Sequence, residues 1–282
     1  MLPQEVSDWL ESRGHAISDL SPVSGGCINT TVRVACRDGS AWFVKINRSA
    51  PSGMFQGEAA GLDALAQAGG PRIPSVHLIC DHSLVMEDLP SGPRQADYWE
   101  RFGRELAQVH AHQAKKFGFG CDTWCGDIRQ PNQWCADGFT FYAEQRFGFQ
   151  AKLAHQRGHL NRLQVQAIER FADRLPDLVP VQGPALLHGD LWSGNAHVDP
   201  TGAPALIDPA CYYGWPEADL AMTQLFGGFP EAFYRAYEAS GQVADDWRNR
   251  VDLHNVYHLL NHANIFGGGY AGQALAIVCR YC

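Results

Sequence analysis

No apolar run in this 282-residue chain approaches the roughly 18 residues needed to cross a bilayer as a helix, which argues against a helical membrane protein. The N-terminal stretch carries Glu5, Asp8, Glu11, Arg13 and Asp19 where a secretory signal would be basic and then apolar. Clustered lysine and arginine are missing too. With 22 basic against 30 acidic residues and a formal net charge of -8, a nucleic-acid backbone is excluded as the main partner. Internal repeats and low-complexity tracts are lacking. The 9 cysteines are scattered, and Cys121, Cys125 and Cys135 match no common zinc-ribbon spacing; without an export signal they are expected as reduced thiols. These absences lead to the expectation of a cytoplasmic enzyme with neither a membrane nor a nucleic-acid partner. Its length and 45% hydrophobic content allow a sizeable core in one large domain or in two lobes sharing a site.

What is present is chemistry-bearing. The octapeptide His188-Gly189-Asp190-Leu191-Trp192-Ser193-Gly194-Asn195, followed by Ala205-Leu206-Ile207-Asp208-Pro209, supplies two carboxylates and an amide. In the kinase pattern H-R-D-x-x-x-x-N, the Asp takes the proton of the attacking hydroxyl, the Asn holds a magnesium ion, and a later Asp holds the metals that bridge the phosphates. Asp190 and Asn195 have that spacing, and the apolar run 204–207 predicts a buried strand delivering Asp208. Phosphoryl transfer needs positioning and charge neutralisation, so oxygen ligands suited to a hard cation are the expected residue types.

A second set lies far upstream. Residues 30–36 and 41–47 read as strands joined through Asp38-Gly39, a strong hairpin signal. Before them, Ser24-Gly25-Gly26-Cys27-Ile28-Asn29 reads as a glycine turn whose backbone N–H groups can cover phosphates, making Gly25, Gly26, Cys27 and Asn29 candidate nucleotide contacts. Alternation turns Lys45 to the face opposite Val44 and Ile46, as in the kinase V-A-I-K strand, and Glu58, opening a predicted helix over 58–68, is its candidate partner. Two further strands are predicted near 76–80 and 84–89. The Pro90-Ser91-Gly92-Pro93 cluster marks a lobe boundary, dividing an N-lobe, 1–90, from a C-lobe, 91–282. Glu87, Asp88 and Leu89 then form a hinge whose backbone groups can bond an adenine edge.

Beyond the boundary helices dominate. One is predicted from Asp97, its N-cap, with Trp99, Phe102, Leu106, Val109 and His110 along one face, His110 as a packed, hydrogen-bonded core residue. Residues 121–137 read as an ordered loop, 139–156 and 161–175 as helices, and the part from Glu217 as helices interrupted at Gly227-Gly228 and Gly267-Gly268-Gly269.

Taken together, these motifs in this order resemble the kinase-like phosphotransferases that include aminoglycoside and choline kinases, and within them the fructosamine kinase (ketosamine kinase) family. The distinguishing segments are Met54-Phe55-Gln56-Gly57-Glu58, Trp192 inside the catalytic octapeptide, Asp208-Pro209-Ala210-Cys211-Tyr212-Tyr213-Gly214, Glu217-Ala218-Asp219-Leu220-Ala221-Met222-Thr223 and Tyr257-His258-Leu259-Leu260-Asn261-His262. The likeness covers almost the whole chain. It implies an α+β, two-lobed protein-kinase-like fold, and transfer of the γ-phosphate of ATP, with Mg2+, to the third-carbon hydroxyl of a ketosamine, a deglycation reaction. Acceptors would be small ketosamines or glycated lysines on proteins. By the same resemblance, Asp190 is the base, Asn195 and Asp208 the magnesium ligands, Lys45 with Glu58 the phosphate-orienting pair, and Trp192 a face for the sugar. His188 and Asp219 support the loop. Trp215-Pro216 depart from the family, which more often carries a His and then a polar residue here. A small-molecule kinase of the aminoglycoside or choline type is the nearer alternative; a silent nucleotide-binding regulator is disfavoured because no ionic residue of the set is missing. Cys27 in the phosphate loop is a candidate redox switch, and a monomer and a redox-linked dimer both fit the sequence.

Overall fold

The computed structural model describes residues 2–23 and 28–281. Five strands, β1 (Ile17–Val23), β2 (Thr30–Cys36), β3 (Ala41–Ile46), β4 (Val76–Ile79) and β5 (Ser83–Glu87), form an antiparallel sheet in the order β1-β2-β3-β5-β4. The hairpin signalled by Asp38-Gly39 joins β2 to β3: the Asp38 carboxylate accepts the Ser40 N–H at 3.0 Å. Alternation along β3 sends successive side chains to opposite faces. On one face Val34, Val44 and Val85 pack under Val6, Trp9 and Leu10 of helix α1 (Gln4–Ser12). On the other, Leu84 and Met86 pack under Phe55, Ala59 and Leu62 of α2 (Met54–Leu65). Lys45 is in register with Leu84 and therefore faces α2.

Helix α2 begins at Met54 rather than at Glu58, and ends at Leu65 rather than at 68. Gly53, at φ 87°, sets its start, and a Cβ on Gly57 would stand 2.6 Å from the Asp122 carbonyl oxygen, so this helix turn lies directly on the backbone at Asp122. Helix α3 (Tyr98–His110) is where the apolar spacing predicts it, but Asp97 does not cap it through its side chain; the carboxylate lies 4.0 Å from Arg104.

The stretch 121–137 is not wholly loop. It holds a short hairpin, β6 (Thr123–Cys125) and β7 (Ile128–Gln130). The predicted helix over 139–156 is instead α4 (Gly138–Tyr142), a π-helical turn Ala143–Gly148, and α5 (Phe149–Gln156). The wide turn carries Arg146, fully buried, whose guanidinium lies 3.9 Å over the Tyr212 ring and bonds the Pro131 carbonyl and Asn132 Oδ1, both at 2.7 Å. A capping box at Asn161 and Gln164 starts α6 (Arg162–Asp173). After α7 (Leu175–Leu178), β8 (Ala185–Leu187) pairs with β11 (Tyr212–Gly214), while β9 (Ala196–Val198) pairs with β10 (Pro204–Leu206). This nesting sets segments 188–195 and 207–211 side by side, with Ala210 N–H bonding the His188 carbonyl at 2.9 Å.

Helices α8 (Pro216–Leu225), α9 (Glu231–Glu238), α10 (Val251–Phe266) and α11 (Tyr270–Tyr281) complete the chain, with breaks at the predicted glycines. Their core joins Phe141, Phe147, Phe171, Trp215, Leu253, Val256 and Leu260. The chain is α+β, an antiparallel N-terminal sheet followed by a helical part. Among the described residues no helix is long and apolar enough to cross a membrane.

Candidate active site

The sheet and the nested strands meet across one cleft. Lys45, 3% exposed, bonds Glu58 Oε1 from α2 and, at 2.5 Å, Asp208 Oδ1 from the segment after β10. Burial would lower the lysine's affinity for its proton, but Asp208 and Glu58 together outweigh it and hold the ammonium above its ordinary pKa. Asp208 has φ 56°, the one non-glycine residue with positive φ among those described. Asp is among the few side chains that tolerate this conformation, and the turn leaves its carboxylate 43% exposed.

The loop carrying Asp190 is fixed from behind. Asp219 of α8 accepts the His188 N–H at 2.7 Å on Oδ2 and the Gly189 N–H at 2.8 Å on Oδ1, while His110 Nε2 approaches at 3.2 Å. These donors hold the Asp219 carboxyl below its usual range despite full burial. His110, with Tyr237 Oη at 2.6 Å from its Nδ1, is the packed core histidine predicted. His188 Nε2 donates to the Ile207 carbonyl at 2.9 Å, so its Nδ1 is the acceptor for the Asp190 N–H at 3.2 Å. One imidazole thus ties the loop to the strand that delivers Asp208. Gly189 is required here: at φ 82°, any Cβ would fall 2.1 Å from the Ala210 carbonyl oxygen.

Asn195 Nδ2 donates to the Asp190 carbonyl at 2.8 Å and to its Oδ2 at 3.2 Å, and no described residue bonds Asn195 Oδ1. Asp190 keeps an edge open to the cleft, yet burial pushes its carboxyl up to about 7; the Cys125 thiol and the Asn195 amide pull it down and Asp208 adds to the rise. A carboxyl near neutrality suits a general base.

The comparisons with known proteins fit this geometry. The family model described as fructosamine kinase matches residues 2–282. The chain belongs to the fructosamine kinase family. It is 42% identical over 266 residues to a probable ketoamine kinase of Synechocystis, covering 92% of this chain and 88% of that one. To the chloroplastic protein-ribulosamine 3-kinase of Arabidopsis thaliana it is 37% identical over 299 residues, covering 100% and 88%. A solved structure of a candidate fructosamine-3-kinase from Thermobifida fusca superimposes with a TM-score of 0.89 at 33% identity, covering 99% of this chain and 98% of that one. The fold is the kinase-like one also found in macrolide and aminoglycoside phosphotransferases, and this family member is a phosphotransferase.

Among the residues singled out from sequence, Asn29, Lys45, Glu58, Asp190, Trp192, Asn195 and Asp208 all line the cleft. Trp192 is 37% exposed and meets Phe226 edge-on at 6.1 Å. The hinge candidates are not in this lining: Glu87 is paired with Arg72, Asp88 with Arg33 at 2.6 Å, and the Leu89 carbonyl accepts from His197 Nε2 at 2.7 Å. Gly25, Gly26 and Cys27 lie outside the described residues. The departure Trp215-Pro216 falls in the core, not the cleft: Trp215 is buried and stacked on Tyr142 with ring centroids 4.1 Å apart.

Sequence reasoning missed one wall. The β6–β7 hairpin contributes Trp124, Cys125 and Gly126, and the end of α10 contributes His262, Ile265 and Phe266. Cys125 is held from below by Asn261 Nδ2 at 3.1 Å, and Asn261 Oδ1 accepts from Gln130 and Gln150 at 3.1 and 3.0 Å. The helical spacing of His258 and His262 was a weak signal for this wall.

Proposed function

We propose that this enzyme transfers the γ-phosphoryl group of ATP to the third-carbon hydroxyl of ketosamines, with Asp190 as the base. The observation that carries the reading is the meeting of Lys45, Glu58, Asp190, Asn195 and Asp208 in one cleft of a fructosamine kinase family member. The names of the relatives, a probable ketoamine kinase and a protein-ribulosamine 3-kinase, favour the acceptor class and the position of attack.

Magnesium fits the residues present. Asn195 Oδ1 is without a partner among the described residues and the Asp208 carboxylate is 43% exposed, giving oxygen donors of the kind a hard cation takes. Asn195 and Asp208 would hold the ion, whose chemistry when bound is neutralisation of phosphate charge. Lys45, kept charged by its two carboxylates, would neutralise phosphate charge from the sheet side, with Glu58 holding its position. Asp190 Oδ2, oriented by Asn195, would accept the sugar hydroxyl proton. Asp219 and His188 serve as supports that fix the loop. Trp192, with exposed Phe266 at the same cleft, would offer apolar faces to the sugar and to the amine's substituent, whether a small amine or a lysine on a protein. In this reading residues 1–90 form the nucleotide lobe, 91–282 the acceptor lobe, and an adenine contact at 87–89 would use backbone groups other than the Leu89 carbonyl and the Glu87 N–H, which are bonded to His197 and Ser75. A cytoplasmic location would supply the ATP.

ATP consumption with ribulosamine and fructosamine forms of lysine, beside unmodified lysine, choline and an aminoglycoside panel, tests the reading. Turnover restricted to the ketosamines is expected. Turnover on choline or an aminoglycoside alone would replace the acceptor assignment while leaving the phosphotransferase intact.

A further inference from the structure

Three side chains distant in sequence converge beneath the base. One ligand atom each of Cys125 on β6, Asp190 and His258 on α10 lies within 4.8 Å of the others. His258 is 1% exposed, and its Nδ1 is fully buried with no hydrogen-bond partner among the described residues. A buried polar nitrogen without a partner is rare in folded proteins and calls for an explanation. Burial and the nearby Asp190 carboxylate keep Cys125 a thiol in the absence of a cation, while Asn261 Nδ2, 3.1 Å from Sγ, is a donor that would stay on the sulfur once a cation replaces the thiol proton. Cys125 and Asp190 both line the cleft, so an ion can enter from solvent and keep one position for water.

The donor set decides the kind of ion. Sulfur, imidazole nitrogen and one carboxylate suit zinc, which takes three protein ligands and an open position at accessible sites. Magnesium prefers oxygen alone, so this set differs in chemistry from Asn195 and Asp208. We propose that Cys125, Asp190 and His258 form a site for zinc-type divalent cations, and that filling it stops phosphoryl transfer by committing the Asp190 carboxylate to the ion. On binding, the Cys125 thiol loses its proton to solvent and a sulfur–zinc bond forms; no oxidation state changes. The inhibitory half of the proposal rests on Asp190 being the base.

The test separates binding from turnover. Co2+ added to the purified full chain should give the absorption of a cobalt–thiolate bond at one equivalent, displaced by Zn2+, absent in Cys125→Ser and needing at least tenfold more metal in His258→Gln. Under saturating Mg-ATP and ketosamine, Zn2+ should inhibit the parent and be restored by a zinc-selective chelator. Cys125→Ser and His258→Gln, each measured against its own zinc-free rate, should need at least tenfold more Zn2+. Thermal melts confirm that the variants fold, with Cys125→Ala as a second replacement. No thiolate absorption in a parent that phosphorylates ketosamines overturns the site and leaves Asp190's role standing. Inhibition at the same Zn2+ concentration in parent and variants also overturns it, since the ion then acts elsewhere. Thiolate absorption with undiminished turnover overturns the inhibitory half and counts against Asp190 as base.

Discussion

Replacing Asp190 by Asn should make the protein more stable and nearly inactive, by amounts that pH controls. An Asp whose pKa moves from 3.8 to about 7 on folding binds its proton more tightly in the folded state. Below pH 3.8 the group is neutral in both states and costs nothing; between the two values the unfolded chain ionises first and stability falls; above about 7 the penalty is constant. Linkage with those two values gives a penalty of about 2 kcal/mol at pH 5 and about 4 kcal/mol at pH 8, upper figures because Asp190 keeps an open edge. Asn carries no charge in either state, and its amide oxygen can still accept from Asn195 Nδ2. At roughly 2 °C per kcal/mol for a chain of this size, the variant should melt up to about 8 °C above the parent at pH 8 and about half that at pH 5. The assay is thermal unfolding from pH 4.5 to 8.5 in EDTA without nucleotide, beside turnover, which should fall by about 100-fold to 10,000-fold. A melting difference independent of pH, or a variant less stable than the parent at pH 8, would refute the claim that Asp190 is held against ionisation by its surroundings.

Other perturbations reach the remaining parts of the site. Parent turnover should fall on the acid side through about pH 7 as Asp190 gains its proton, and a rate flat from pH 5.5 to 8 would count against a base of this pKa. Lys45→Met leaves Glu58 without its buried partner and should cost about 3–5 kcal/mol in urea unfolding, part of it recovered by adding Glu58→Gln; no recovery would mean the pair is not coupled. Asp219→Asn replaces one of the two oxygens that accept the His188 and Gly189 N–H groups by an NH2 donor, and should lose at least about 2 kcal/mol and most turnover, with nucleotide affinity retained. Trp192→Ala should raise the ketosamine KM several-fold with stability changed by less than about 1 kcal/mol, because the ring is 37% exposed; an unchanged KM would remove it from the acceptor site.

Much of the frame was legible because it is local. Alternation over β3 and the Asp38-Gly39 turn put Lys45 on the correct face, and the apolar run before Asp208 predicted the strand that delivers it. Helix boundaries were less so: α2 starts at Met54 because Gly53 can take a left-handed turn and Gly57 admits the Asp122 backbone, a contact far away in sequence. The hairpin in 121–137 escaped because its strands are only Thr123–Cys125 and Ile128–Gln130, too short for periodicity to register. The π turn around Arg146 was invisible for a related reason: its arginine is held by a carbonyl and an amide at 131–132 and by the ring of Tyr212, two segments outside the turn.

That hidden part is what distinguishes this site from a generic phosphotransferase loop. The octapeptide supplies the Asp190 carboxylate, but its pKa is set largely from outside the octapeptide: burial, Asp208 and Asp219 raise it, while Cys125 of the β6 hairpin, bonded by Asn261 of α10, pulls it down. The same two elements present Trp124, His262, Ile265 and Phe266 to the cleft. In the proposed function this wall, which lies beside Asp190, is also the one an acceptor would meet. On that proposal, a change in acceptor made by remodelling this wall would alter the burial of Asp190 as well, and so would couple specificity to the pH range of the proposed base.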